Sequence, residues 1–162
     1  MAGARSDLPK LALLEARRVR DRADAELDLL LADLEAWVNR DTPGEATEAL
    51  DDFARTLGST LVGYGLQVEL VPVAAGLYVH ASLEGSGRAR VALLCHHDTV
   101  FPAGTAAARP FRIEGDRCLG PGVADMKGGI AVAAHAARLL ASGPRPFARL
   151  ELVSCPDEEA RP

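Results

Sequence analysis

The sequence predicts an α/β layered fold. Three observations carry this. Apolar residues recur at helical spacing over 27–38 and again over 50–61. After Gly65 the period changes to short runs rich in Val and Leu. An alanine-rich helical segment then returns between the last two of these runs.

In chain order, Ser6 and Asp7 ahead of Pro9 read as a helix start, and the stretch to Arg20 is charged and weakly periodic. Leu27, Leu30, Leu31, Leu34 and Val38 form one apolar stripe, closed by the breaker run Asp41-Thr42-Pro43-Gly44. Leu50, Phe53, Leu57 and Leu61 mark a second helix, stopped by Gly63 and Gly65. Strands are expected over 66–71, 77–83 and 90–95. The third is almost continuously apolar, as expected of a strand buried on both faces. A long loop from Asp98 to about Arg117 follows; loops of that length inside compact domains are usually functional. A helix over 127–140 stops at Ser142-Gly143-Pro144. A last buried strand over 148–154 runs into Cys155-Pro156-Asp157-Glu158-Glu159.

The chain's 162 residues suit one domain with a real core, and 48% hydrophobic with 25% charged residues is the composition of a soluble globular protein. A net charge of −5 and the lack of a basic, aromatic-rich stripe argue against nucleic-acid binding. The longest apolar runs, at Leu29-Leu30-Leu31 and over 91–95, fall far short of the roughly 18–20 residues a membrane span requires. Leu11–Leu14 runs straight into Glu15, Arg17 and Arg18, unlike a secretory signal, so a cytoplasmic location is expected. Cys95, Cys118 and Cys155 are odd in number and form no C-x-x-C pair, which suggests reduced thiols. Cys95 and Cys155 end apolar runs and read as small buried hydrophobes. Lysine occurs only at Lys10 and Lys127, which reads as compositional bias.

In α/β folds, sites form at the carboxyl ends of strands. His96-His97-Asp98 directly follows the third strand. Asp98 is spaced to hold the second ring nitrogen of His96, as carboxylates do for metal-ligating histidines. The run from Gly120 to Gly129 has the glycines for sharp turns and presents Asp125 at the mouth of the next helix. A carboxylate there can cap the helix or bridge two metal ions. Asp157-Glu158-Glu159 follows the last strand, and adjacent glutamates can divide metal binding from proton transfer. Each cluster alone has an ordinary structural explanation. Together, one histidine with several carboxylates suits zinc or a similar divalent ion. His80 and His135 read as structural, His97 as structural or supporting, and Trp37 as core.

On Leu93-Leu94-Cys95-His96-His97-Asp98-Thr99-Val100, Gly120-Pro121-Gly122-Val123-Ala124-Asp125-Met126-Lys127-Gly128-Gly129 and Asp157-Glu158-Glu159, the chain resembles the zinc-dependent peptidase family M20. That family includes glutamate carboxypeptidase, acetylornithine deacetylase, succinyl-diaminopimelate desuccinylase and aminoacylase. The likeness runs from about Ala25 to Glu159, and the glycine-rich run is most like the glutamate carboxypeptidase branch. It implies a three-layer helix–sheet–helix catalytic domain, here incomplete at its C-terminus and without a dimerisation domain. Residues 1–24 would be an N-terminal helical extension, and 25–162 the N-terminal portion of the catalytic domain.

By the same resemblance, His96 ligates one metal, Asp98 orients His96, and Asp125 bridges two zinc ions. Glu158 is the general base and Glu159 ligates the second metal, with a cis peptide at Asp125-Met126. The implied substrate is a small peptide or N-acyl amino acid, with a homodimer possible in the full-length family. The family's later acidic and histidine ligands are expected beyond Pro162, leaving two protein ligands per metal where catalytic zinc normally has three. An inactive truncated fragment or a non-enzymatic interaction protein is therefore the alternative expectation for the isolated chain.

Overall fold

The computed structural model describes residues 8–159. Helix α1 (Leu8–Val38) passes unbroken through the boundary expected after residue 24, while Ser6 and Asp7 lie outside the described residues. Its last turns reach the core through Leu34, Trp37 and Val38. Residues 15–25 are exposed, which is why the sequence there shows little periodicity. Helix α2 (Thr47–Gly63) buries the expected face, with Leu50, Phe53, Leu57 and Leu61 all fully shielded from solvent.

The main sheet has the order β1-β2-β6-β3, from β1 (Gln67–Val73), β2 (Gly76–Glu84), β3 (Arg90–His96) and β6 (Arg149–Cys155). The β1–β2 and β2–β6 pairs are antiparallel, and β6 runs parallel to β3. Between β3 and β6 lie α3 (Thr105–Ala108), a hairpin of β4 (Arg112–Glu114) and β5 (Arg117–Leu119), and α4 (Gly128–Ala141). The expected long loop thus carries short elements of its own. Asn39 and Asp41 anchor it, through the backbone N–H groups of Phe111, Gly104 and Ala106.

One face of the sheet, with Val79, Ala81, Leu83, Leu150 and Leu152, packs against α1, α2 and α4 in a single core. Among the described residues the opposite face carries His80, Arg149, Glu151, Val153 and Leu94 and no covering helix. The described chain therefore supplies two layers, one helical and one of sheet. This corrects the reading of 90–95 as a strand buried on both faces: β3 is an edge strand here, with Leu94 75% and Val91 39% exposed. In β6, too, burial alternates along the strand. Both apolar runs suit a sheet covered on both sides, and only one side is covered by the described residues.

No described helix is long and apolar enough to cross a membrane. All three cysteines are free thiols. Cys95 is buried, and that burial pushes its thiol up to about 11.

Candidate metal centre

Because β3 and β6 run parallel, with His96 level with Cys155, the segments leaving both strands emerge at the same end of the sheet. The His97 N–H extends the ladder by one bond, 2.9 Å to the Cys155 carbonyl. The helical crossover between these strands returns a turn over 123–127 to the same end. That turn departs from helical backbone at Asp125 and Met126, and the peptide bond between them is cis. Gly122 makes it possible. Its φ is +72°, and a Cβ there would come within 2.8 Å of the Thr99 side chain.

Of the sequence-flagged residues, His96, Asp125 and Glu159 are brought together: one donor atom from each lies within 4.8 Å of the others. The His96 ring is buried, with Nε2 2.9 Å from Asp125 Oδ1 and Nδ1 3.2 Å from both Asp98 Oδ1 and the Asp98 carbonyl. The His96 N–H also donates to the Met126 sulfur at 3.2 Å. Asp125 is the open side of the cluster, its side chain 71% exposed. Glu159 is half-buried and Glu158 exposed.

Asp98 does more than its spacing suggested. It is fully buried, and its carboxylate accepts the backbone N–H groups of Glu158 at 3.2 Å and Glu159 at 2.7 Å. One buried carboxylate thus orients the histidine and fixes the backbone of the final motif. No sequence signal separates these tasks, because they depend on where β6 ends in space.

The electrostatics follow from this packing. Burial alone would push His96 down. The hydrogen bond to Asp125 and the charge of Asp98 outweigh it and hold the imidazole above its ordinary value. His97 behaves oppositely: it is fully buried, stacked on Phe53 and 3.0 Å from Ser154 Oγ, and desolvation pulls it down to about 4. Among the described residues its Nε2 has no partner, nor has the buried hydroxyl of Thr42. Lys127, two residues past Asp125, is 1% exposed, and burial lowers its ammonium to about 8.

The donor set fits a divalent cation. With Nδ1–H given to Asp98, His96 Nε2 and Asp125 Oδ1 face each other as two lone pairs, which requires a proton or a metal ion between them. Among the described residues His96 is the only ion-pair partner of Asp98 and Asp125, and Glu159 has none. The excess negative charge is of the sort that one hard or borderline cation neutralises.

Comparison with known proteins agrees. Residues 92–162 match the model of peptidase family M20/M25/M40. The chain is 33% identical over 141 residues to carboxypeptidase G2 of Pseudomonas sp. (strain RS-16), covering 85% of this chain and 34% of that protein. Its fold superposes on human carnosine dipeptidase 1 with TM-score 0.75 at 17% identity, covering 89% of this chain and 35% of that one. It also superposes on the M20 family metallo-carboxypeptidase Sso-CP2 of Sulfolobus solfataricus with TM-score 0.70 at 20% identity, covering 80% and 31%. The chain spans about a third of the length of each of these relatives. The chain belongs to the M20 peptidase family and corresponds to part of its catalytic domain.

Proposed function

We propose that His96, Asp125 and Glu159 hold divalent metal, and that the protein of which they are part hydrolyses the amide bond of a peptide or N-acyl amino acid. The observation that carries the reading is the convergence of three donors from three distant motifs within 4.8 Å, at the end of the sheet where β3 and β6 finish. Imidazole with carboxylates favours zinc. Asp125, with two carboxylate oxygens, is the residue suited to be shared between two ions. Similarity to a carboxypeptidase supports a substrate with a free carboxylate.

Bound zinc supplies Lewis-acid polarisation of the scissile carbonyl and acidifies the attacking water. The chain's own residues do the rest. Asp98 holds the His96 tautomer through Nδ1 and fixes the backbone at Glu158 and Glu159. Glu158 takes the proton of the attacking water and returns it to the leaving amine.

The experiment compares two adjacent, chemically alike carboxylates in the metal-loaded protein. Glu158→Gln is expected to keep its metal content and lose activity by roughly 10²–10⁴-fold, the range credited to general acid–base catalysis. Glu159→Gln is expected to lose metal together with activity. Equal metal loss in both variants, or full activity in Glu158→Gln, overturns the assignment.

A further inference from the structure

Among its 18 basic residues the chain uses lysine only at positions 10 and 127. Composition alone made that look like bias. Position 127 supplies a physical reason for the choice. Lys127 is 1% exposed, and its Nζ donates to the Arg40 carbonyl at 2.6 Å while lying 5.2 Å from the centre of the Phe53 ring. No carboxylate forms an ion pair with it among the described residues. The slot therefore holds a compact ammonium on a straight apolar stem. A guanidinium would bring a planar fork of five N–H donors to a place offering one carbonyl and an aromatic face.

A buried cation without a directly paired carboxylate is costly, and the fold keeps it where it joins two segments. One is the turn that carries Asp125, closed by the Lys127 N–H to the Gly122 carbonyl at 2.8 Å. The other is the linker between α1 and α2. Besides the Arg40 carbonyl, that linker supplies the Asp41 carboxylate to the N–H groups of Gly104 at 2.6 Å and Ala106 at 2.8 Å. Its Thr42 carbonyl accepts the Thr99 N–H at 2.8 Å, just after Asp98. The linker thus grips the segment after His96 and, through Lys127, the turn bearing Asp125.

We propose that Lys127 is a positioning residue for the metal centre: its buried ammonium ties the Asp125 turn to the Arg40 carbonyl and so sets Asp125 against His96 before metal arrives. This rests on the metal-centre reading above. Lys127 touches neither the donors nor a substrate. Its effect is to spare the metal the work of ordering the turn.

The test measures zinc affinity by calorimetry for the wild type, Lys127→Met and Leu57→Ala, the last removing core volume from α2 as a control for general destabilisation. Lys127→Met keeps the stem and removes the charge, and should weaken zinc binding at least about tenfold in folded protein. Leu57→Ala should leave the affinity within about twofold. In a second measurement, independent of any variant's folding, the Lys127 amide of the wild type should be equally protected from hydrogen exchange with and without zinc. Unchanged affinity in Lys127→Met, an equal loss in Leu57→Ala, or amide protection appearing only with zinc overturns the proposal. A wild type that binds no zinc sinks the metal-centre reading itself, and this inference with it.

Discussion

His96 and His135 each stand between two carboxylates, with nearly the same distances. His96 has Asp98 at 3.2 Å and Asp125 at 2.9 Å; His135 has Glu26 at 3.3 Å and Asp33 at 3.0 Å. What surrounds them differs. At His135 the carboxylates come from α1 and are answered by other groups: Arg138 pairs with Glu26, and the Tyr64 hydroxyl donates to Asp33. A guanidinium, a phenol and an imidazole thus meet two carboxylates, and His135 is 2% exposed. At His96 three carboxylates gather without an arginine or lysine paired to them among the described residues, and one side lies open at Asp125. The local pattern of a histidine between acids is therefore uninformative. Net charge and access separate a helix clamp from a candidate metal site.

The largest expected contrast comes from exchanging what each histidine does. His96→Ala should weaken zinc binding by more than about 100-fold, since even outer partners of metal ligands are worth roughly 10–100-fold. Its thermal stability should suffer less than that of His135→Ala, because Asp125 already faces water and the buried Asp98 keeps the N–H donors of Glu158 and Glu159. His135→Ala should lose about 1–3 kcal/mol in denaturant unfolding, having removed the ring that bonds both Glu26 and Asp33 and packs on Tyr64. Its zinc affinity should stay near wild type. If the two variants show the same balance of metal loss and stability loss, the division between the clusters is wrong.

The smallest effect expected is on the pH dependence of stability. Burial raises the Glu26 carboxyl, but hydrogen bonds to His135 and Arg138 more than offset this and hold it below its ordinary value near 4.5. A depressed carboxylate stabilises the fold fully above its unfolded value and loses that contribution as pH falls through the folded value. Thermal melts between pH 5 and pH 3 should therefore fall more steeply for the wild type than for Glu26→Gln. Parallel curves would mean that the clamp carries no acid-sensitive stability.

The elements themselves were legible because α2, β2 and α4 each bury one face, and burial writes a period into sequence. The convergence of His96, Asp125 and Glu159 was legible as well, from three clusters at strand ends taken together and from the resemblance their motifs carry. Other features were not. The Asp41-Thr42-Pro43-Gly44 run reads as a helix stop, and nothing local reveals that Asp41 and Thr42 hold loops roughly sixty residues away. The burial of Lys127 depends on a carbonyl 87 residues back along the chain, which no motif encodes. The edge position of β3 was missed because an apolar run records what a strand can be covered by, and says nothing of what covers it.

The level pairing of β3 with β6, with Leu93 opposite Leu152 and His96 opposite Cys155, bears on how such a chain can vary in length. One residue added inside either strand would turn its alternating side chains over and shift its final motif along the axis by about 3.3 Å, a large part of the 4.8 Å within which the donors gather. Between Val100 and Leu119 the chain is largely exposed, and added residues there can loop out without moving either strand. Length variation compatible with the centre should therefore concentrate in that connection, with 90–98 and 149–159 held to a fixed count.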